Sequence, residues 1–227
     1  MATPLLVVVT GPPASGKSTI AAELARRARL PLLAKDPIKE ILFDTLGWSD
    51  RAWSRRLGVA VYGVLYEAAG ELLGAGRSLI LEANFDHERA RRDLLALPPS
   101  RIVQVYCTAQ PELLLARFDE RARSGARHPA HGGMDDELAA RIRGGDFGPL
   151  DLDGPRFGVV TERSDDISLA AVEAAIGSQH PRPRCVLPSA ETVGARLRES
   201  FGADEVSDRQ VQTAASRIRA LLVESLG

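Results

Sequence analysis

Leu5-Leu6-Val7-Val8-Val9-Thr10-Gly11-Pro12-Pro13-Ala14-Ser15-Gly16-Lys17-Ser18 decides the reading of this chain. The run Leu5–Val9 has no polar position, which is the pattern of a short strand buried on both faces. Beyond the glycine- and proline-rich turn, Lys17 to Arg29 carries alanine and leucine at helical spacing. Between the two, Gly11 to Ser18 satisfies G-x-x-x-x-G-K-[ST] at every fixed position, in the strand–turn–helix context the motif needs. Glycines let the backbone wrap an anion with its N–H groups turned inward, and the N-terminus of the following helix adds partial positive charge. Lys17 would reach the β- and γ-phosphates, and the Ser18 hydroxyl would ligate Mg²⁺. Gly11, Pro12, Pro13, Ala14, Ser15, Gly16, Lys17, Ser18 and Thr19 are therefore expected to cradle a nucleoside triphosphate. The motif leaves the reaction open.

Working outward, the chain alternates strand-like and helix-like stretches. Leu32–Ala34, Ser78–Leu81, Ile102–Tyr106 and Phe157–Thr161 read as further strands, most of them short apolar runs. Helical spacing runs over Arg51–Ala75 (Leu57, Val61, Leu65, Ala68, Leu72), Asp86–Leu97, Pro111–Ser124 and Ser168–Ile176. Such alternation predicts an α/β fold, a parallel sheet with helices on both faces. Gly125 to Pro155 holds more polar and glycine breakers than core and reads as a mobile segment, with about 124–148 as a lid. His180 to Pro188 is proline-rich. This divides the chain into a domain over 1–178 and a linker with a helical extension over 179–227. Ser207-Asp208-Arg209-Gln210 is a capping box, and Val211, Ala214, Ile218, Leu221 and Leu222 form one stripe behind it. That stripe is expected to pack on the sheet edge; homodimer formation and partner binding are the alternatives.

The 227 residues, 44% hydrophobic, suffice to bury a core without staples. With 29 basic against 30 acidic residues the net charge is −1, which argues against gripping nucleic acid through overall charge. Cys107 and Cys185 are too few for a disulfide framework or a four-ligand zinc site. The longest aliphatic run, Leu5–Val9, is short of a membrane span, and the N-terminus lacks the basic segment of a secretory signal, so a cytoplasmic protein is expected. Lys17, Lys35 and Lys39 are the only lysines; all other cations are arginine.

Several nucleotide-binding classes drop out. The chain contains no N-K-x-D and no L-S-G-G-Q, an AAA-type motor would need a longer chain, and the D-x-x-G at Asp151–Gly154 has no apolar strand before it. A small phosphotransferase needs a base, cations for the travelling phosphoryl group and a lid against water. Asp36, just after the second strand, is the candidate base; followed by Pro37, it also reads as a helix cap. Arg117, Arg121, Arg123 and Arg127 supply cations, the first two on one helix face, with a solvated basic face as the bland alternative.

These residues resemble the small P-loop kinases that include chloramphenicol phosphotransferases, zeta-toxin-like kinases and polynucleotide 5′-kinases. The resemblance rests on Gly11–Ser18, Asp36, Leu81-Glu82-Ala83-Asn84-Phe85, and the arginine-rich stretch Arg117 to His131. That stretch ends Arg-His-Pro-Ala-His, where less-characterised members often read R-H-P-G-H. The resemblance spans roughly residues 1–178. It implies a P-loop NTPase fold of kinase type with five parallel strands, ATP with Mg²⁺, a general base at Asp36, and phosphate contacts from Arg117, Arg121 and Arg127. The expected activity is transfer of the γ-phosphoryl group to a hydroxyl of a small molecule. A nucleic-acid 5′-hydroxyl kinase and a non-catalytic nucleotide-binding partner protein are the rivals.

Other candidates carry weaker signals. Glu82 reads as a metal-side acid or an ordinary strand-end carboxylate, and Asn84 as a group that orients the acceptor. Trp48, Trp53 and Tyr62 fall in the region where these kinases build the acceptor pocket, although aromatic residues at helical spacing are more often core. Lys35 and Lys39 flank the base, to hold an anionic acceptor or simply to be exposed. His128 and His131 make an incomplete zinc site, and a lid-hinge, substrate-facing or solvated role is open to them.

Overall fold

The structure is a computed structural model and describes residues 3–85, 87–125, 128–131, 135–162, 169–177, 187–202 and 205–226. Five strands form one sheet: β1 (Leu5–Thr10), β2 (Leu32–Ala34), β3 (Leu79–Glu82), β4 (Arg101–Thr108) and β5 (Arg156–Val160). Their spatial order is β2-β3-β1-β4-β5, and every pairing is parallel. β1 lies at the centre with all six residues buried, as its unbroken aliphatic run requires.

The alternation of a strand divides β1 between two cores. Leu6 and Val8 join the larger core with Leu42, Leu57, Leu65 and Leu72, whereas Leu5, Val7 and Val9 join the smaller one with Ile20, Leu24 and Val172. The larger face carries α2 (Lys35–Leu46), α3 (Arg51–Gly74) and α4 (His87–Leu95); the smaller carries α1 (Lys17–Ala28) and α7 (Ala170–Ile176). α5 (Pro111–Arg123) follows β4. Among the described residues one helical stretch, Ala52–Gly74, is long and apolar enough to cross a membrane. Its Leu57, Val61, Leu65 and Leu72 are wholly buried against the sheet and its neighbours.

Two stretches hold more regular structure than their composition predicts. The stretch read as mobile contains a 3₁₀ turn at Pro129–His131 and a helix, α6 (Asp136–Gly144). The Asp135 side chain accepts from the Leu138 N–H, and Gly145 ends the helix in the left-handed conformation at φ 74. Ala139 and Ile142 then anchor α6, Ile142 packing with Leu114 and Phe147. The second stretch is the tail. α8 (Ala190–Ser200) and α9 (Asp208–Glu224) pack on α2 and α3. Val193, Leu197, Phe201, Val211, Ala214, Ile218 and Leu222 belong to the same core as Leu42 and Leu57. The capping box forms, with Ser207 accepting from Gln210 N–H and the Gln210 side chain accepting in return.

Because the tail shares a core with α2 and α3, it should melt with them. Ile218, with no exposed surface, tests this: Ile218→Ala should lower stability by about 2–5 kcal/mol in urea titration while one cooperative transition is kept. A second transition confined to the tail would show that the extension is an independent unit.

Candidate functional site

The turn from β1 into α1 is held by backbone conformations that few residues tolerate. Gly11 sits at φ 149, and a Cβ there would lie 2.1 Å from the Cys107 carbonyl oxygen, so only glycine fits. Ala14 and Gly16 are both left-handed, at φ 63 and φ 76. Left-handed residues within a tight turn curl backbone N–H groups into a concave anion site. The Thr161 hydroxyl donates to the Ser15 carbonyl at 2.8 Å and so pins the loop to the end of β5. Ser15 Oγ is buried and has no hydrogen-bond partner among the described residues. An unsatisfied buried hydroxyl costs about 1–3 kcal/mol, and a phosphate oxygen in the cradle would satisfy it.

A cleft of about 460 Å³ opens beside this loop at the carboxyl end of the sheet. Pro13, Ala14, Lys17 and Ser18 form its floor, and α2 contributes Lys35, Asp36, Lys39 and Glu40. Asn84, Phe118 and Arg121 line it as well, as do His128, His131 and Leu138. All three lysines of the chain therefore face one cleft. A larger open groove of about 800 Å³ lies between Tyr66, Leu97 and Arg196, but it shares no residue with the phosphate loop.

Electrostatics separates Asp36 from Glu82. Asp36 is half-exposed; desolvation pushes its carboxyl upward, but Lys35, His131, Lys17 and Lys39 together outweigh it and hold it below the usual range. Glu82, at the end of β3, is 1% exposed, and burial pushes its carboxyl upward against the pull of Lys17. Ser18 Oγ stands 3.4 Å from Glu82 Oε2. Two hard oxygen donors side by side at the phosphate loop fit Mg²⁺. Lys35 Nζ donates to Asn84 Oδ1 at 2.6 Å and lies over the Tyr62 ring, while Tyr62 OH donates to the Asn84 carbonyl at 2.9 Å. Burial is the main reason that the Lys35 ammonium is brought down to about 8, with Asp36 opposing the shift.

Residues 6–140 match the family model described as AAA domain, AAA_33. The chain belongs to that family. A crystal structure from Chloroflexus aurantiacus J-10-fl, described as a "putative kinase", is 40% identical with a TM-score of 0.70, covering 75% of this chain and 95% of that one. Uncharacterized proteins of Mycobacterium tuberculosis H37Rv and Mycobacterium bovis are 33% identical over 166 residues, which is 68% of this chain and 33% of each of them. The chain thus spans about a third of the length of these curated relatives. The fold is that of the P-loop kinases, and the family implies nucleotide binding.

The P-loop kinase fold brings most of the expected residues together, with exceptions. Asp36 faces the cleft but caps no helix: α2 starts one residue earlier, with Ala34 as an extended N-cap and no side-chain cap bond. Its carboxylate instead lies within the first helical turn, where the backbone dipole favours an anion. Gly11 and Pro12 are buried in the loop, and Thr19 is exposed on the first turn of α1. Arg121 lines the cleft but Arg117 does not, because its guanidinium donates to the Thr161 hydroxyl at 3.2 Å and to the Thr161 carbonyl at 2.5 Å. Arg127 lies outside the described residues. Trp53 is off the cleft: its ring packs on Phe201 at 5.1 Å, Arg56 covers it, and its N–H donates to the Gly47 carbonyl. Sequence reasoning passed over Glu40 and left His131 between a lid-hinge, a substrate-facing and a solvated role; the side chain is half-buried, 2.7 Å from Glu40 and 3.8 Å from Asp36. The available signal was the spacing of four between Asp36 and Glu40 on one helix.

Three lysines make the cleft directly observable. After reductive ¹³C-methylation the Lys35 resonance, assigned by Lys35→Arg, should titrate with a midpoint of about 8. The sign follows from the lowered value: between pH 8 and the ordinary 10.5 the unfolded chain holds a proton that the folded chain has released, so the Lys35 contribution to stability rises with pH. A midpoint near 10.5 would show that Lys35 is solvated.

Proposed function

We propose that this protein transfers the γ-phosphoryl group of ATP to a hydroxyl group of a small molecule, with Asp36 as the general base. The observation that carries the reading is the placement of an ionised carboxylate on the same 460 Å³ cleft as Lys17 and Ser18. ATP would seat its β- and γ-phosphates against the N–H groups of the loop, with Lys17 and Arg121 offsetting their charge. Ser18 and Glu82 would hold Mg²⁺, which when bound neutralises charge developing on the phosphate oxygens.

In the transfer, the acceptor oxygen bonds to the γ-phosphorus as the bond to the β–γ bridging oxygen breaks, and ADP leaves. The hydroxyl proton passes to Asp36. The same cations that keep Asp36 ionised make it a modest base, adequate for a loose transition state in which proton transfer comes late. Lys35 and Asn84 brace the wall on which the acceptor would rest. The turn at Pro129–His131 and helix α6 border the cleft through His131 and Leu138, and as a lid they would limit access of water, the competing acceptor. A cleft of this size suits a small acceptor.

Asp36→Asn should lower transfer from labelled ATP into a pool of small hydroxyl compounds by about 10²–10⁴-fold. ATP affinity by titration should stay within a few-fold, since the loop is untouched. Transfer at close to the wild-type rate would remove Asp36 from the mechanism.

A further inference from the structure

Asp36, Glu40 and Asp44 are four residues apart on α2 and form one acidic row along the helix. Two histidines from the lid turn meet that row. His131 Nε2 is 2.7 Å from Glu40 Oε1, its Nδ1 is 3.8 Å from Asp36 Oδ1, and His128 Nε2 is 3.2 Å from Asp44 Oδ1. The contacts join residues 84 to 95 positions apart, so they dock one segment on another.

The hydrogen bonds assign the ring nitrogens. Ala130 N–H donates to His128 Nδ1 at 3.2 Å, so this nitrogen accepts and Nε2 carries the proton that faces Asp44. For His131 a carboxylate at 2.7 Å requires Nε2 to donate, which turns Nδ1 towards Asp36. The His131 side chain is 15% exposed against 27% for His128, so its bond is the better shielded of the two. Phe43 adds an edge-on contact to the His128 ring at 5.5 Å. Asp44 also meets Arg217 from α9 at 3.5 Å, but both are nearly half-exposed, and such pairs contribute little.

We propose that His131 is a positioning residue: by donating to Glu40 it docks the 128–131 turn on α2 and fixes the wall of the cleft next to Asp36, with His128 on Asp44 as the second point of attachment. The docking goes beyond the phosphotransfer reading and draws on it only for the role of Asp36.

Amide hydrogen exchange of the full chain tests this without any acceptor, so it stands or fails separately from the kinase reading. His131→Ala should speed exchange of the His128 and Ala130 amides about tenfold or more, the expected loss for a hydrogen bond to a charged group. Glu40→Ala should do the same, and the double variant should be no faster than either. His131→Gln, which keeps an N–H of similar reach, should return exchange to within about threefold of wild type, a rescue that mere filling of space by other side chains would not give. Arg217→Ala should stay within about twofold. If His131→Ala disturbs the fold by circular dichroism, Glu40→Gln, which keeps the volume, takes its place with an expected acceleration of about threefold or more. Wild-type exchange in the histidine or glutamate variants, additive effects in the double variant, or no rescue by glutamine would overturn the proposal.

Discussion

A backbone passage too narrow for any side chain sets the geometry of this protein. Where β1 turns into α1, the Cα of Gly11 faces the carbonyl of Cys107 on the neighbouring strand with no room for a Cβ. The chain turns sharply there, and the left-handed residues Ala14 and Gly16 aim the amides that follow into one hollow. Because β1 pairs with β3 on one side and β4 on the other, the hollow opens at the point where the strand order switches direction. Glu82 at the end of β3 and Asp36 after β2 are thereby brought to the same rim, and Thr161 at the end of β5 ties the loop from the far side.

Within that rim, identical chemical groups acquire different properties from their surroundings. One carboxylate is sealed beneath the phosphate loop with its proton affinity raised; the other stands at the mouth among cations with its proton affinity lowered. Such a division lets one acid serve a metal ion and another a proton. The ammonium of Lys35, drawn inward between Asn84 and Tyr62, links the two by its field.

Local regularities were legible in the sequence, and long-range contacts were not. All five strands fall within two residues of their expected bounds, since short apolar runs bounded by glycine, proline or polar residues admit few alternatives. The loop and Asp36 follow from local patterns in the same way. Helix α6 escaped notice because its nine residues bury little, although Asp135 and Gly145 mark both of its ends. Spacing placed Arg117 and Arg121 on one face, but the carbonyl of Thr161, 44 residues away, decides that the first braces β5 while the second reaches the cleft. Trp53 was separated from Phe201 by almost 150 positions, so no local pattern could reveal that the tail covers it. The contact of His131 with Glu40 spans 91 residues and was invisible for the same reason.

The distribution of cation types has a further consequence. Arginine keeps its proton throughout the range in which proteins stay folded, whereas lysine can give its proton up. Every lysine side chain of the sequence borders the cleft, and burial brings the Lys35 ammonium down to about 8. Mild alkalinity therefore takes a positive charge from the wall of this hollow while the arginines elsewhere keep theirs.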